Sequence, residues 1–158
     1  MEILERLIVD VARLDREGEQ YRGALLPETL DLEPGAYMEP AGELFYDLFI
    51  QDFGHELLVQ GKVWQRIRAL CSRCGRSFEY ETREDEFTRS YEINDRTEFI
   101  DLTDDVREGI ILTLSDYPIC QENCKGVCQK CGKNLNEGPC NCPKEPESDT
   151  WAALDNLK

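Results

Sequence analysis

The chain is poor in basic residues, has a single histidine and contains no long hydrophobic run. Lysine and arginine number 18 against 33 aspartate and glutamate residues, which gives a formal net charge of −15. Proteins that grip bare RNA or DNA are normally basic, so this charge argues against nucleic-acid binding over the whole surface. No stretch approaches the roughly 18 uninterrupted apolar residues that a membrane-spanning helix needs. These scarcities favour a protein outside the membrane that recognises other proteins.

The first residues also lack the features of a secretory signal. The segment from Met1 to Arg6 contains two glutamates where a signal peptide has a basic start. We therefore expect a cytoplasmic protein, in which thiols stay reduced and are available to bind metal.

The shortage of histidine argues against an enzyme. The one histidine, His55, lies in a predicted turn with no nucleophile motif beside it, whereas a catalytic zinc site usually recruits histidine or a carboxylate and keeps one coordination position open. An acidic run could suggest a cation site, but helix capping and a solvated helix face explain it better: Asp101, Asp104, Asp105 and Glu108. We expect no catalytic residues.

What the chain does have is cysteine in close pairs. The eight cysteines form four of them: Cys71 with Cys74, Cys120 with Cys124, Cys128 with Cys131, and Cys140 with Cys142. A Cys-x-x-Cys turn places two sulfurs on one side of a tight loop, and two such pairs close the tetrahedron of a structural zinc site. Glycine follows two of the pairs, at Gly75 and Gly132, where the backbone must turn back toward the sulfurs. The count predicts two zinc ions per chain; a thiol redox switch that releases zinc on oxidation is the alternative.

The hydrophobic pattern predicts an α+β fold, mainly an antiparallel β-sheet with one well-defined helix and a C-terminal cysteine-rich zinc-knuckle segment. Apolar residues alternate over 44–50 and again over 57–69, with a turn between them, and the second strand leads into Cys71. Further extended segments cover 78–82 and 87–93. The period then changes to four residues from Leu102 to Leu114, which predicts a helix that ends before Pro118.

Composition divides the chain into three parts. Residues 1–118 are predicted to form the sheet and helix core with the first zinc knuckle, 119–142 the cysteine-rich segment, and 143–158 a linker and C-terminal peptide. Trp151, Leu154 and Leu157 recur at spacings of three in that peptide. It is either a docking peptide for a partner or a helix that folds back on the core.

One local exception to the acidic composition lies in the second predicted strand. Positions 57–78 contain no aspartate or glutamate and five cations: Lys62, Arg66, Arg68, Arg73 and Arg76. An RNA backbone or an acidic protein could dock there. An ordinary solvated strand face explains the same pattern equally well.

Several strings in a fixed order resemble the YceD family, the large ribosomal RNA subunit accumulation proteins. They run from Cys71 to Phe78, from Ile100 to Leu102, from Val106 to Leu112 and from Cys124 to Asn136, and a terminal aromatic-Ala-x-Leu-x-x-Leu-Lys signature follows. The resemblance implies a non-enzymatic bacterial or plastid factor needed for accumulation of large-subunit ribosomal RNA. The partner would be a large-subunit ribosomal protein, precursor RNA, or both. An acidic body suits basic ribosomal proteins.

The resemblance also suggests how the cysteines group. Some family members keep one Cys-x-x-Cys knuckle and a His/Cys pair after the helix but lack the later cysteines. The first site would then hold Cys71, Cys74, Cys120 and Cys124, and the second would hold Cys128, Cys131, Cys140 and Cys142. Because only three residues separate Cys124 from Cys128, these two could exchange sites.

Overall fold

The computed structural model describes residues 3–15, 17–33 and 37–143 of the 158-residue chain. This part is mostly β-structure with one α-helix, as the α+β prediction requires. Its strands are β1 (Ile3–Leu4), β2 (Ile8–Asp10), β3 (Glu19–Leu25), β4 (Met38–Asp52), β5 (Glu56–Leu70), β6 (Ser77–Glu92) and β7 (Phe99–Asp101). The helices are α1 (Thr103–Ile111) and two short 3-10 helices, Val11–Arg13 and Pro27–Leu30.

Five strands form the main sheet, in the order β1-β3-β4-β5-β6. Strands β3 to β6 pair antiparallel with their neighbours, so β4, β5 and β6 form the meander expected from the alternating pattern. Strand β1 pairs parallel with β3, a departure from the antiparallel pattern in a region where the sequence predicts no definite structure. Strands β2 and β7 form a separate antiparallel pair that links the N-terminal region to the start of the helix.

Each long strand buries alternate side chains, which is the period-two pattern read from the sequence. On β5, for example, Val63 and Ile67 are fully buried, whereas Arg66 between them is exposed. We call the side that carries Val63 and Ile67 the inner face and the opposite side the outer face. The predicted segments 78–82 and 87–93 turn out to be one strand, β6, interrupted only by a register shift opposite Gly61 and Val63.

Helix α1 covers the inner face of the sheet. Val106 and Ile110 are fully buried in the core together with Phe87 of β6, and a β-carbon added at Gly109 would lie 3.1 Å from the Phe87 ring. The N-cap residue is Leu102, which makes no side-chain cap, and the carboxylate of Asp101 just before it accepts a hydrogen bond from the Thr103 backbone N–H at 3.0 Å. The helix therefore closes one hydrophobic core with the sheet.

Among the residues that the structure describes, no helix has the length and apolar character needed to cross a membrane. The predicted C-terminal docking peptide with Trp151, Leu154 and Leu157 lies outside the described residues. The division at 118 and 142 stays a prediction.

Candidate metal centres

The first cysteine cluster joins the tip of a hairpin to the segment that follows the helix. Cys71 and Cys74 lie in the turn between β5 and β6, where the sequence predicts them. The backbone N–H of Cys71 donates to Arg76 at 2.9 Å and that of Gly75 donates to Cys71 at 2.8 Å, with Gly75 at φ +69°. This tight turn points both sulfurs to the same side. The Ser72 N–H donates to the Pro118 carbonyl at 2.8 Å and brings the later cysteines alongside.

The four sulfur atoms of this cluster are arranged as a metal site requires. Those of Cys71, Cys74, Cys120 and Cys124 all lie within 4.8 Å of one another. The Cys71–Cys124 and Cys74–Cys120 sulfur distances are both 3.8 Å. Sulfurs bound tetrahedrally to zinc at about 2.3 Å would be about 3.8 Å apart, whereas a disulfide needs about 2.05 Å. The distances therefore fit a shared metal ion and exclude disulfides between these pairs.

Hydrogen bonds from nearby groups reach three of these sulfurs. The Cys120 N–H lies 3.4 Å from the Cys71 sulfur, the Asn136 side-chain amide 3.3 Å from the Cys124 sulfur, and the Arg76 guanidinium 3.6 Å from the Cys120 sulfur. Four thiolates around a divalent ion retain a charge of about −2, so donors and a cation beside them stabilise the loaded state. Asn136 and Arg76 therefore form part of the site although they are not ligands.

The second cluster repeats the same turn later in the chain. The Cys128 N–H donates to the Lys133 carbonyl at 2.9 Å and the Gly132 N–H donates to the Cys128 carbonyl at 2.8 Å, with Gly132 at φ +71°. This reproduces the two hydrogen bonds of the first turn. Cys140 and Cys142 complete a group of four sulfurs within 4.8 Å of one another. The similarity of the two turns follows from the shared Cys-x-x-Cys-Gly sequence.

The two clusters differ in exposure. Cys71, Cys74 and Cys124 are buried, with at most 7% of their surface exposed, and they pack against Phe78. In the second cluster Cys131 is exposed and the other three cysteines are half-buried. A chelator or an oxidant therefore has easier access to the second cluster.

Neighbouring thiols within each cluster have pKa values shifted in opposite directions. Burial raises the pKa of the Cys71 thiol, but backbone amides, led by that of Cys120, outweigh it and lower the pKa to about 6. The Arg76 amide favours the Cys74 thiolate, whereas burial and the neighbouring sulfurs act against it and bring the pKa of Cys74 to about 12. One thiol thus ionises easily while its neighbour resists. A bound dication would remove that conflict.

The second cluster shows the same contrast. The amides of Cys131 and Lys130 lower the pKa of Cys128 to about 6. Hydrogen bonding to Cys131, followed by burial, raises the pKa of Cys142 to about 12. Both clusters therefore combine a thiol whose pKa is lowered with one whose pKa is raised.

The structure brings the eight cysteines together in the two groups that the resemblance suggests. Cys124 joins the first cluster and Cys128 the second, so the possible exchange between them does not occur in this structure. The sequence does not identify Asn136 as part of a site, because its contact with Cys124 depends on a loop that folds back across 12 positions. Its place between the cysteines of the second cluster was the only available signal.

The histidine and the acidic run, which the sequence raises as possible site residues, lie outside the two cysteine clusters. His55 is exposed in the turn between β4 and β5, at the end of β5 opposite the Cys71 turn. Asp105 accepts hydrogen bonds from Tyr91 and Arg89 in the first turn of α1. Burial, followed by the hydrogen bond to Asp105, raises the pKa of Tyr91 above its ordinary value. Asp105 of the acidic run therefore ties the first turn of α1 to β6.

The fold and the two clusters define a β-sheet protein with two four-cysteine groups that could each hold a metal ion. The family model for large ribosomal RNA subunit accumulation protein YceD matches residues 79–158. The chain belongs to the YceD family, which confirms the resemblance seen in the sequence.

A curated relative supports this assignment over a shorter stretch. The chain is 37% identical over 59 residues to large ribosomal RNA subunit accumulation protein YCED homolog 1, chloroplastic, of Arabidopsis thaliana. The matched stretch covers 37% of this chain and 18% of the relative's length. No solved structure matches the chain. The names of the family and of the relative both refer to accumulation of large-subunit ribosomal RNA.

Proposed function

We propose that this protein is a non-enzymatic zinc-binding factor that supports accumulation of large-subunit ribosomal RNA and thereby biogenesis of the large ribosomal subunit. The observation that carries the proposal is the pair of four-sulfur clusters in a chain of the YceD family. We place its action in the compartment where the ribosomes are made, the cytoplasm of a bacterium or the interior of a plastid.

The donor set favours zinc over other metals. Four thiolate sulfurs in a closed tetrahedral group suit structural zinc, whereas calcium and magnesium require oxygen ligands. An iron–sulfur cluster also uses four cysteines, but the 3.8 Å sulfur pairs of the first cluster match coordination to a single ion. All eight cysteines then serve as ligands: Cys71, Cys74, Cys120, Cys124, Cys128, Cys131, Cys140 and Cys142.

The first metal ion would act as a crosslink. It would tie the tip of the β5–β6 hairpin to the segment that begins after Pro118, two regions about 50 positions apart in the chain. Metal binding to such a site contributes directly to folding, since the ligands are not preorganised in the unfolded chain. We propose that residues 1–118 form the core and that residues 119–142 form a segment that the two ions hold together.

The acidic surface points to a basic partner. With a net charge of −15, the chain attracts the lysine- and arginine-rich proteins of the large subunit and repels free RNA over most of its surface. We therefore favour a large-subunit ribosomal protein as the direct partner, with RNA contact restricted to the cations of the β5 region.

Metal analysis of the reduced protein and complementation in cells test this proposal together. We expect about two zinc ions per chain, and we expect Cys74→Ser to lose one of them and to lower large-subunit ribosomal RNA in a strain that depends on the protein. Ser72→Ala is the matched control, because Ser72 is exposed in the same turn and its side chain makes no hydrogen bond within the described part of the chain. Full zinc content in Cys74→Ser, or normal ribosomal RNA in a deletion strain, would contradict the proposal.

The exposure of the second cluster favours one alternative function, a redox switch. Two of its thiolates would give two electrons to a peroxide-class oxidant and form one disulfide, and the ion would lose two ligands. Thiol titration separates the two functions. A structural site protects its thiols while zinc is bound, whereas a switch forms a disulfide and releases zinc at peroxide concentrations that leave the first cluster intact.

A further inference from the structure

Strand β6 forms one edge of the five-stranded sheet. It pairs with β5 on one side, and no other strand of the described residues pairs with its other side. It spans 16 residues, Ser77–Glu92, which is long for an edge strand. An edge of this kind presents free backbone donors and acceptors that can pair with another chain.

The register shows which backbone groups face the free edge. The Cys71 N–H donates to Arg76, and the Leu70 N–H donates to Tyr37 on the β4 side. Because hydrogen-bonded and non-hydrogen-bonded pairs alternate along an antiparallel ladder, the pairs Arg68–Glu79 and Arg66–Glu81 are non-hydrogen-bonded. The N–H and C=O groups of Glu79 and Glu81 therefore point away from β5, toward the open edge.

The side chains along this edge are strongly acidic. Strand β6 carries two arginines and six acidic residues: Glu79, Glu81, Glu84, Asp85, Glu86 and Glu92. Glu79 and Glu81 lie on the outer face, and each keeps 45% of its side-chain surface exposed although it pairs with an arginine of this chain. The partners are Arg68, 2.8 Å from Glu79, and Arg83, 3.5 Å from Glu81. A strand added to this edge would place alternate side chains beside these carboxylates, which favours lysine or arginine at those positions.

The inner side of the same edge offers an apolar cleft of about 260 Å³. Its walls are Phe78 and Tyr80 of β6 and the segment after the helix, including Pro118 and Ile119. Tyr117 at its mouth is 79% exposed. The other alternate set of side chains on an added strand would face this cleft, and apolar residues suit it.

We infer that β6 is a docking edge for an extended segment of a partner protein in which basic and apolar residues alternate. The segment adds as a sixth strand, its backbone pairs with Glu79 and Glu81, its basic side chains lie beside the carboxylates of these two residues, and an apolar side chain enters the cleft. Strand addition of this type draws affinity from main-chain hydrogen bonds and specificity from alternate side chains. The inference rests on the proposed function only for the expectation that the partner is a ribosomal protein.

A synthetic peptide tests the docking edge on the zinc-loaded full chain. The probe is a capped octapeptide that alternates lysine and valine, and its affinity is measured by calorimetry. We expect it to bind more tightly than a peptide of the same composition with four lysines followed by four valines. We also expect about a tenfold loss when N-methyl groups block the peptide amides that pair with β6. Equal binding of the two sequences would show surface electrostatics alone and would overturn the inference, as would no binding.

Variants of the edge supply the second part of the test. Proline is tolerated in edge strands where the N–H faces solvent, so Glu81→Pro should fold while it loses the outward donor and about tenfold in peptide affinity. Glu81→Gln retains the donor and removes only the charge, so it should lose less peptide affinity than Glu81→Pro. If Glu81→Pro does not fold, the N-methylated peptide alone decides the question.

The two proposals can fail separately. A peptide that does not bind, in a protein whose Cys74→Ser variant still lowers large-subunit ribosomal RNA, refutes the docking edge and leaves the proposed function standing. Peptide binding in a protein whose deletion leaves ribosomal RNA unchanged refutes the proposed function and leaves the docking edge standing.

Discussion

The side chain of Asn136 connects the two clusters, and its removal has a definite expected cost. Its amide nitrogen donates to the Cys124 sulfur at 3.3 Å, and its amide oxygen accepts from the Lys125 N–H at 2.9 Å, so the amide is held in one orientation. Asn136 itself belongs to the loop between Cys131 and Cys140 of the second cluster. When the second cluster is ordered, the Asn136 side chain is held where it can donate a hydrogen bond to the Cys124 sulfur of the first cluster.

The expected loss of zinc affinity follows from the kind of hydrogen bond that Asn136→Ala removes. A hydrogen bond to a charged group contributes about 1.5–3 kcal/mol. Substitution of a group that orients a metal ligand typically costs about 10- to 100-fold in metal affinity, which corresponds to about 1.4–2.7 kcal/mol. The two ranges agree. We therefore expect Asn136→Ala to weaken zinc binding at the first cluster by about 10- to 100-fold.

Competition with a chromophoric zinc chelator measures this effect in reduced protein. The exposed second cluster should give up its ion first and the buried first cluster later, so the titration should show two steps. Asn136→Ala should shift the later step. Asn141→Ala is the matched control, since Asn141 is exposed in the same cysteine-rich segment and its side-chain amide makes no hydrogen bond to another described residue. An unchanged later step in Asn136→Ala would refute the role of this side chain.

Two further predictions concern the sheet and the helix. A β-carbon at Gly61 would lie 2.2 Å from the Asp47 carbonyl oxygen and φ there is +154°, so Gly61→Ala should lower the free energy of unfolding by about 1–3 kcal/mol in urea titrations. Gly42→Ala, with nothing within 4 Å, should change it little. Tyr91→Phe should cost about 1 kcal/mol through the lost hydrogen bond to Asp105. Because the folded state raises the pKa of Tyr91 above 10.0, the contribution of Tyr91 to stability should be fully present below about pH 10 and be lost above it, and Tyr91→Phe should reduce the fall in stability at high pH.

The parts of the structure that depend on local sequence were predictable. Alternation on β4 and β5 identified the hairpin, because each strand buries every second side chain. The four-residue spacing from Leu102 identified α1, and the Cys-x-x-Cys-Gly strings identified both turns. In each case the signal and the structure lie within about 15 residues of chain.

The parts that depend on distant contacts were not predictable. The pairing of β1 with β3 and of β2 with β7 joins segments separated by about 20 and about 90 positions, and nothing local in the sequence identifies the partner of either strand. The contact of Asn136 with Cys124 arises only once both turns have folded.

The first cluster lies directly beside the cleft of the docking edge on β6. One wall of the cleft comes from Phe78 and Tyr80 of β6, and the opposite wall ends at Ile119, immediately before Cys120. A metal ion bound by Cys120 and by Cys74 at the hairpin tip would fix the distance between these walls. Without the ion, the remaining ties include the 2.7 Å hydrogen bond between Thr82 and Thr113 and the backbone bond from Ser72 to Pro118. Metal loading of the first cluster should therefore be a condition for strand docking at β6, and zinc would contribute to function through the shape of this edge rather than through chemistry at the ion.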